Sequence, residues 1–236
     1  MISVCVATYN GERFIEAQLK SILSQLSSQD EVIVSDDGST DNTVAIIEAL
    51  DDPRIKIYRN ESKAGVNGNF ENALTHASGD IIYLADQDDV WIDGKVDATL
   101  NALKDCDCVI HDAFVTDSDL NILHDSFFRL RKSGPGFLKN LYKNTYLGCC
   151  MAFKRPLLDA ILPIPKRTAY YHDNWIGSIA DCKYKLKFIA FKGIYFRRHE
   201  SNTSCTAKSS KYNRLQMVYH RVVQLYDVIH RLIKTA

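Results

Sequence analysis

The sequence predicts an α/β protein with a mostly parallel sheet, flanking helices and a further helix at the C-terminus. Through the first hundred residues, short apolar runs alternate with segments of helical periodicity, the pattern of repeated strand–helix–strand units. The runs are apolar throughout, as in strands covered on both faces. Two of them, at 32–34 and 81–85, stop abruptly in carboxylates. Because ligands bind at the carboxyl ends of strands in such sheets, these acidic turns are the first candidate site.

The first three strands are predicted at 2–7, 30–35 and 54–58. A helix from about Glu12 to Leu26 should join the first two strands, because its apolar residues recur at helical spacing. A second helix, between the acidic segment 36–41 and Asp52-Pro53, should join the next two. This order of elements favours parallel pairing with helical crossovers.

The rest of the chain is less regular. Further strands are predicted at 81–85, 108–110, 146–153 and 186–195, and further helices at 69–77, 93–103, 156–162 and from Asp173, which is placed to cap its helix. From about residue 114 the alternation decays. The aromatic and basic segments 121–131 and 134–144 have no assignable pattern.

The C-terminal residues 207–236 form a basic amphipathic segment with six Lys or Arg residues and one acid, Asp227. Apolar residues spaced by three and four positions predict one helix with a heptad-like seam. The seam consists of Leu215, Val218, Val222, Leu225, Ile229 and Leu232. It could pack on the body, pair with a second copy or bind anionic lipid, and the sequence leaves these three alternatives open.

Composition narrows the class of protein. The chain has 236 residues with 29 basic and 29 acidic side chains, so the body before the basic segment is acidic, which argues against nucleic acid as a partner. Seven cysteines without a Cys-x-x-Cys pair indicate reduced thiols. The sequence shows neither a leader segment nor a membrane span. We therefore expect a soluble cytoplasmic protein, at most attached to the inner face of a membrane.

The acidic turns themselves suggest a chemistry. Asp86, Asp88 and Asp89 crowd three carboxylates into four positions, which repel one another unless a cation lies among them. A divalent cation with a phosphorylated ligand is one interpretation, and a solvated acidic turn is the other.

Taken together and in order, these motifs resemble family 2 glycosyltransferases of the inverting GT-A type. The resemblance covers most of the first two hundred residues. It is carried by Ala7-Thr8-Tyr9-Asn10 with Glu12, by Ser35 to Asp41, by Gly79-Asp80 leading to Asp86-Gln87-Asp88-Asp89-Val90-Trp91, and by His172-Asp173. Asp86 to Trp91 and the late Arg198-His199-x-x-Asn202 are especially similar to a bacterial rhamnosyltransferase-like subgroup. The resemblance implies a GT-A domain at 1–206, with a nucleotide-sugar half at 1–112 and an acceptor half at 113–206.

The resemblance also implies roles for individual residues. Asp173 would be the catalytic base, and Asp88 with His199 would bind Mg²⁺ or Mn²⁺. The donor would contact Thr8, Tyr9, Asn10, Glu12, Asp36, Asp37, Lys63, Asp86 and Gln87. The acceptor would contact Trp91, Asp112, Gly148, Cys149, His172 and Trp175. One of the two acids Asp36 and Asp37 would accept the N–H of a uracil or thymine, which points to UDP- or dTDP-sugars.

The implied reaction moves a sugar from a nucleotide-diphosphate donor to a saccharide, free or lipid-linked, in bacterial surface polysaccharide synthesis. Two alternatives belong to other classes: a sugar nucleotidyltransferase, and a non-catalytic module that binds nucleotide or sugar. The first should carry a Gly-rich basic loop after the first strand, and Thr8-Tyr9-Asn10-Gly11 is not such a loop. The second is weakened because every expected acid is present.

Overall fold

A computed structural model describes residues 1–61, 64–166, 169–199 and 213–234. Its first half contains four parallel strands: β1 (Ile2–Thr8), β2 (Glu31–Asp36), β3 (Ile55–Arg59) and β4 (Ile81–Asp86). Three helices connect them: α1 (Ile15–Leu23), α2 (Thr43–Glu48) and α3 (Val66–His76). Strand β1 lies between β2 and β4, with Thr8 beside Asp36 and Ala7 beside Asp86. The register therefore brings the polar ends of these strands to one edge of the sheet.

The second half completes a mixed sheet. Its strands are β5 (Val90–Trp91), β6 (Cys108–Thr116), β7 (Ile122–His124), β8 (Met151–Lys154) and β9 (Leu186–Arg197). Its helices are α4 (Lys95–Leu103), α5 (Phe127–Arg131), α6 (Phe137–Tyr142), α7 (Arg155–Ile161), α8 (His172–Lys183) and α9 (Arg214–Lys234). Within the described residues the strand order is β3-β2-β1-β4-β8-β6-β9-β5, with β7 paired to β6. The predicted fold class is confirmed, and the antiparallel pairings all involve the second half.

Several predicted boundaries change. The strand expected at 146–153 begins only at Met151, because Gly148–Cys150 forms a 3-10 turn whose Cys149 carbonyl accepts a hydrogen bond from the buried Lys95 ammonium at 3.1 Å. The unassigned segments contain β7, α5 and α6, each six residues or fewer. Elements this short carry too little periodicity to be recognised.

Helix α9 packs on the body, but through a different face from the predicted seam. Val223, Gln224 and Val228 are buried, whereas most of the seam is exposed. The inward face is held by polar contacts: the Gln224 amide donates to the Ser178 hydroxyl, and Arg231 donates to three carbonyls near the end of α7. Apolar periodicity takes no account of such contacts, so the seam alone does not show which face of α9 packs on the body. No described helix is both long enough and apolar enough to span a bilayer.

Candidate active site

A cavity of about 1140 Å³ opens where β1 and β4 end and where α3 and α8 begin. It gathers most of the residues singled out from the sequence, from both halves of the chain. Those that line it are Thr8, Tyr9, Asn10, Asp37, Asp86, Gln87, Asp88, Gly148, His172, Asp173 and His199. The acids of the strand ends and the acid of α8 therefore share one space.

Gln87 joins the ends of β1 and β4 on one wall of the cavity. Its side-chain oxygen accepts hydrogen bonds from the Tyr9 backbone N–H at 2.8 Å and the Thr8 hydroxyl at 2.7 Å, and its amide donates to the Tyr9 carbonyl. Gly11 permits this pairing, because a Cβ there would lie 2.4 Å from the Gln87 oxygen. The Gln87 amide thus bonds to both the N–H and the carbonyl of Tyr9, as a neighbouring strand would, and these bonds fix the wall at Thr8 and Tyr9.

The two acids after β2 have different surroundings. Asp36 is buried, and its carboxylate accepts from the backbone N–H groups of Gly38 and Ser39 and from the Ser39 hydroxyl. Asp37 faces the cavity and accepts from the Asn60 amide and the Gly65 N–H, both at 2.7 Å. Asp36 therefore shapes the turn. Asp37 is the acid that could meet a ligand, because a carboxylate can accept more hydrogen bonds than these two.

Asp86 at the end of β4 and Asp89 after it belong to a buried polar cluster that also contains Lys95. Burial and repulsion from Asp88 raise the pKa of Asp86 to about 7 and hold that of Asp89 well above its usual range. Burial lowers the pKa of the Lys95 ammonium to about 8, and this group lies 3.8 Å from the centre of the Trp91 ring. Added positive charge at Asp88 would oppose the upward shifts of both carboxyl groups. The cluster is thus electrostatically suited to a cation.

Asp88 and His199 are the candidate metal-binding pair that faces the cavity. The His199 Nε2 and an Asp88 carboxylate oxygen are 2.7 Å apart, and both side chains are nearly buried. These two atoms are hydrogen-bonded to each other. Neighbouring ligands of an octahedral ion with bonds near 2.1 Å are about 3.0 Å apart, so both atoms could bind one Mg²⁺ or Mn²⁺ if the ion replaced that hydrogen bond. Arg197 supports this segment: its N–H groups donate to the Asp88 carbonyl and the Asp89 carboxylate.

A second group of ligand types, Asp86, Asp89 and Cys149, lies beneath that pair with its atoms within 4.8 Å of one another. Burial holds the pKa of the Cys149 thiol well above its usual range, so the thiol remains protonated, and Asp89 is fully enclosed. A protonated thiol is a poor ligand for hard cations. This group therefore fits a supporting layer better than a metal site.

Asp173 enters the cavity from the first turn of α8. It does not cap the helix, which begins at His172, and its carboxylate accepts the Asn174 N–H at 2.7 Å and the Asn144 amide at 3.5 Å. Burial raises the pKa of Asp173 to about 6. A carboxylate with this pKa is ionised near neutral pH yet more basic than an ordinary aspartate, as a general base requires.

His172 lies beside Asp173 as a neutral imidazole. Burial lowers its pKa to about 3, and its ring stacks on Phe70 with 3.9 Å between centroids. Within the described part of the chain, neither ring nitrogen has a hydrogen-bond partner. Gly148 makes room for it, since a Cβ there would lie 2.7 Å from Nε2. A ligand hydroxyl in the cavity could supply the missing partner.

Six predicted contacts do not line the cavity. Glu12 accepts from Asn42 at the start of α2, while Asp36, Trp91 and Cys149 lie behind the wall. Asp112 is buried and accepts from Ala113, Ser126 and Phe128, and Trp175 is fully buried with its N–H on the Ile161 carbonyl. Asp112 and Trp175, two of the predicted acceptor contacts, are therefore enclosed in this structure and do not face the cavity. Lys63, the remaining predicted donor contact, lies outside the described residues.

Sequence reasoning missed several residues of the site. Asn69 on α3 donates to the Thr8 carbonyl, and Asn67 on the same helix bridges the segment before Asp173. Arg13 and Phe14 line the cavity after β1, and Tyr171 lines it before α8. Asn67 precedes the range 69–77 over which the helix was predicted and Asn69 is its first residue, so apolar periodicity gave no signal for either asparagine.

Comparison with known proteins identifies the family. The model of the family "Glycosyl transferase family 2" matches residues 3–162. The chain belongs to this family. This glycosyltransferase is 36% identical over 220 residues to the Escherichia coli UDP-Glc:alpha-D-GlcNAc-diphosphoundecaprenol beta-1,3-glucosyltransferase WfgD, with 92% of this chain and 83% of the relative covered. It is 30% identical to the Shigella flexneri dTDP-rhamnosyl transferase RfbG, with 92% and 80% covered.

Solved structures support the same fold. The Staphylococcus aureus protein TarS (residues 1–349) in complex with UDP-GlcNAc superposes with a TM-score of 0.73 at 20% identity, over 98% of the glycosyltransferase and 69% of that chain. The mannosyltransferase PcManGT from Pyrobaculum calidifontis, in complex with GDP-Man and Mn²⁺, gives a TM-score of 0.62 at 22% identity, over 97% and 64%. The predicted family and the GT-A type of fold are both confirmed.

Proposed function

We propose that this glycosyltransferase is an inverting, divalent-metal-dependent enzyme. It transfers a sugar from a UDP- or dTDP-sugar to a lipid-linked saccharide at the cytoplasmic face of the membrane, in the synthesis of a bacterial surface polysaccharide. The observation that carries the proposal is the presence of Asp173 in the same cavity as Asp86 and Asp88. Inversion requires a base beside the acceptor hydroxyl and positive charge beside the leaving diphosphate. Asp173 could supply the base, and Asp88 could help to hold the cation that supplies the positive charge.

Each of these residues has a separate role in the proposed transfer. Asp88 and His199 would hold Mg²⁺ or Mn²⁺, which stabilises the negative charge of the departing nucleotide diphosphate. Asp173 removes the proton of the acceptor hydroxyl as its oxygen bonds to the anomeric carbon and the carbon–oxygen bond to the diphosphate breaks. His172, neutral and unpartnered within the described residues, orients a sugar hydroxyl. Asp37 accepts the N–H of the base, while Gln87 fixes the wall at Tyr9.

The choice of donor and acceptor draws on relatives. WfgD is named for UDP-Glc and an undecaprenol-linked GlcNAc, and RfbG for dTDP-rhamnose, so both relatives are named for a pyrimidine nucleotide. A carboxylate at Asp37 fits that preference, because uracil and thymine present an N–H where cytosine presents an acceptor.

Nucleotide preference tests the assignment of Asp37. UDP- or dTDP-sugars should raise the melting temperature in the presence of Mn²⁺, and GDP-sugars should not. Asp37→Asn should weaken UDP binding about 10- to 100-fold, the usual range for losing a hydrogen bond to a charged group, and should improve CDP relative to UDP. Asp80→Asn, an exposed acid at the other end of β4, is the matched control. Tighter binding of GDP than UDP by the wild-type protein would overturn the pyrimidine assignment.

Asn67 offers a test of how the general base Asp173 is positioned. Its side-chain oxygen accepts from the His172 N–H at 2.7 Å, and its amide donates to the Tyr170 carbonyl at 2.9 Å, so α3 holds the segment that leads to Asp173. Asn67→Ala should lower kcat about 10- to 100-fold with little change in donor affinity, because small displacements of a reacting group are costly. Steady-state kinetics with donor titration measure both. Asn72→Ala, which removes a contact to Ser35 from the same helix, should affect kcat far less. A change confined to the donor KM would contradict the positioning role.

A further inference from the structure

Helix α9 carries an exposed apolar stripe, which we call the α9 stripe. It consists of Leu215, Val218, Tyr219, Val222, Tyr226, Ile229 and Ile233, each between 48% and 82% exposed. At 3.6 residues per turn these positions fall within about 100° of the helix circumference. Large apolar side chains scattered singly are ordinary, but a contiguous stripe of seven marks a surface that contacts something.

The stripe faces away from the body of the protein. The opposite side of α9 is anchored by Gln224 on Ser178, by Asp227 on the Tyr170 hydroxyl and by Arg231 on the carbonyls of Ala160, Leu162 and Pro163. A helix on a protein surface usually turns its apolar side inward and its polar side to water. Here the polar anchors fix the reverse orientation, so α9 cannot bury the stripe by rotating without breaking them.

Helix α6 extends the same surface. Leu138 and Tyr142 are each 74% exposed, and α6 packs beside α9. Arg221 of α9 donates to the Tyr142 carbonyl and lies over the Tyr142 ring at 5.3 Å. The two helices therefore present apolar and tyrosine side chains side by side.

The surroundings of the stripe are strongly basic. Helix α6 with Lys143 after it, and helix α9, together contain six Lys or Arg side chains and one acid, in a chain that is neutral as a whole. Four of them, Lys139, Lys143, Arg214 and Lys234, are exposed, whereas Arg221 contacts Tyr142 and Arg231 is directed inward to the carbonyls near α7. The single acid, Asp227, is the residue bonded to Tyr170. A second copy docking through the same face would bring two positive surfaces together, whereas an anionic bilayer supplies the opposite charge.

We propose that the α9 stripe and the exposed side of α6 lie on the surface of an anionic phospholipid bilayer. Leu215 to Ile233 would run about 27 Å along the plane of the membrane, with apolar side chains at the acyl boundary and basic side chains among the headgroups. Tyr142, Tyr219 and Tyr226 have the amphipathic rings favoured at that depth. Because α8 begins with His172 and Asp173 and packs on α9, the base would be held close to the membrane.

Vesicle cosedimentation of the full chain tests the proposal. We expect binding to vesicles of equal phosphatidylcholine and phosphatidylglycerol, about tenfold weaker binding to phosphatidylcholine alone, and release by high salt. The double variant Val222→Ser and Ile229→Ser should lose most of the binding, because Ser removes apolar surface at similar helix propensity. The double variant Val222→Leu and Ile229→Leu keeps that surface and should bind as the wild type does.

Loss of membrane binding, loss of donor binding and dimerisation give different results in these measurements. Circular dichroism and the thermal shift with UDP-sugar should be the same for all variants, so a failure of membrane binding is distinguishable from a failure of donor binding. No cosedimentation with the anionic vesicles, or equal cosedimentation of the Ser variant, overturns the proposal. A dimer detected by light scattering without lipid, and dispersed by the same Ser substitutions, would assign the stripe to a second copy and overturn it too.

Discussion

Asp173→Asn should lower kcat by about 10²- to 10⁴-fold while donor affinity stays close to that of the wild type. The amide keeps the shape of the carboxylate and the hydrogen bond from Asn174 but cannot take a proton, and general-base assistance is worth about this factor. Single-turnover kinetics at saturating donor measure the loss, and donor titration by thermal shift shows whether the nucleotide site is intact. Turnover within about threefold of the wild type would remove Asp173 from the reaction.

The pH dependence supplies the control for that variant. Because the pKa of Asp173 is raised to about 6, the wild-type kcat should fall on the acid side of about pH 6, where the carboxylate takes up a proton and loses its basicity. This decrease forms the acid limb of the pH profile. His172 should not contribute to the acid limb, since burial lowers its pKa to about 3. The residual activity of Asp173→Asn should lack the limb. A limb of the same position in both proteins would assign it to another group.

Asp88→Asn should weaken Mn²⁺ binding at least about 100-fold and reduce turnover accordingly, because it removes the carboxylate that pairs with His199. Calorimetric titration of Mn²⁺ into the protein measures the affinity without reference to activity. Treatment of the wild type with EDTA, followed by desalting, should abolish turnover, and added Mn²⁺ should restore it.

Asp93→Asn is the matched control for Asp88, since Asp93 is an exposed acid five residues further along the chain. It should bind Mn²⁺ as the wild type does. Unaltered Mn²⁺ affinity in Asp88→Asn, or full turnover after removal of the metal, would contradict the role of the Asp88 and His199 pair.

Much of the donor half could be predicted because three of its strands, β1, β2 and β4, are buried on both faces. Apolar runs such as Val32-Ile33-Val34 identify the strands, and parallel pairing then brings Asp37 and Asp86 to the same edge. Which of two neighbouring acids faces the cavity depends on local backbone geometry. Asp36 turns into its own loop and Asp37 does not, and nothing in their spacing distinguishes them.

The acceptor half was less predictable because hydrogen bonds, rather than apolar periodicity, decide its arrangement. Trp175 looked like a contact residue beside Asp173, but its N–H finds the Ile161 carbonyl and the ring joins the core. The Asp112 carboxylate likewise accepts hydrogen bonds from nearby backbone N–H groups, those of Ala113 and Phe128. On α9, the polar anchors outweigh the apolar seam in choosing which face turns inward.

The contact between Gly11 and Gln87 constrains how this sequence can vary. A side chain at position 11 would occupy the place of the Gln87 amide, which is the group that holds Thr8 and Tyr9. A larger residue at 11 is compatible with the wall only if position 87 shortens as well, and a shorter residue at 87 would in turn lose the bonds to Tyr9. The two positions, 76 apart in the chain, are therefore expected to change together or not at all among active relatives.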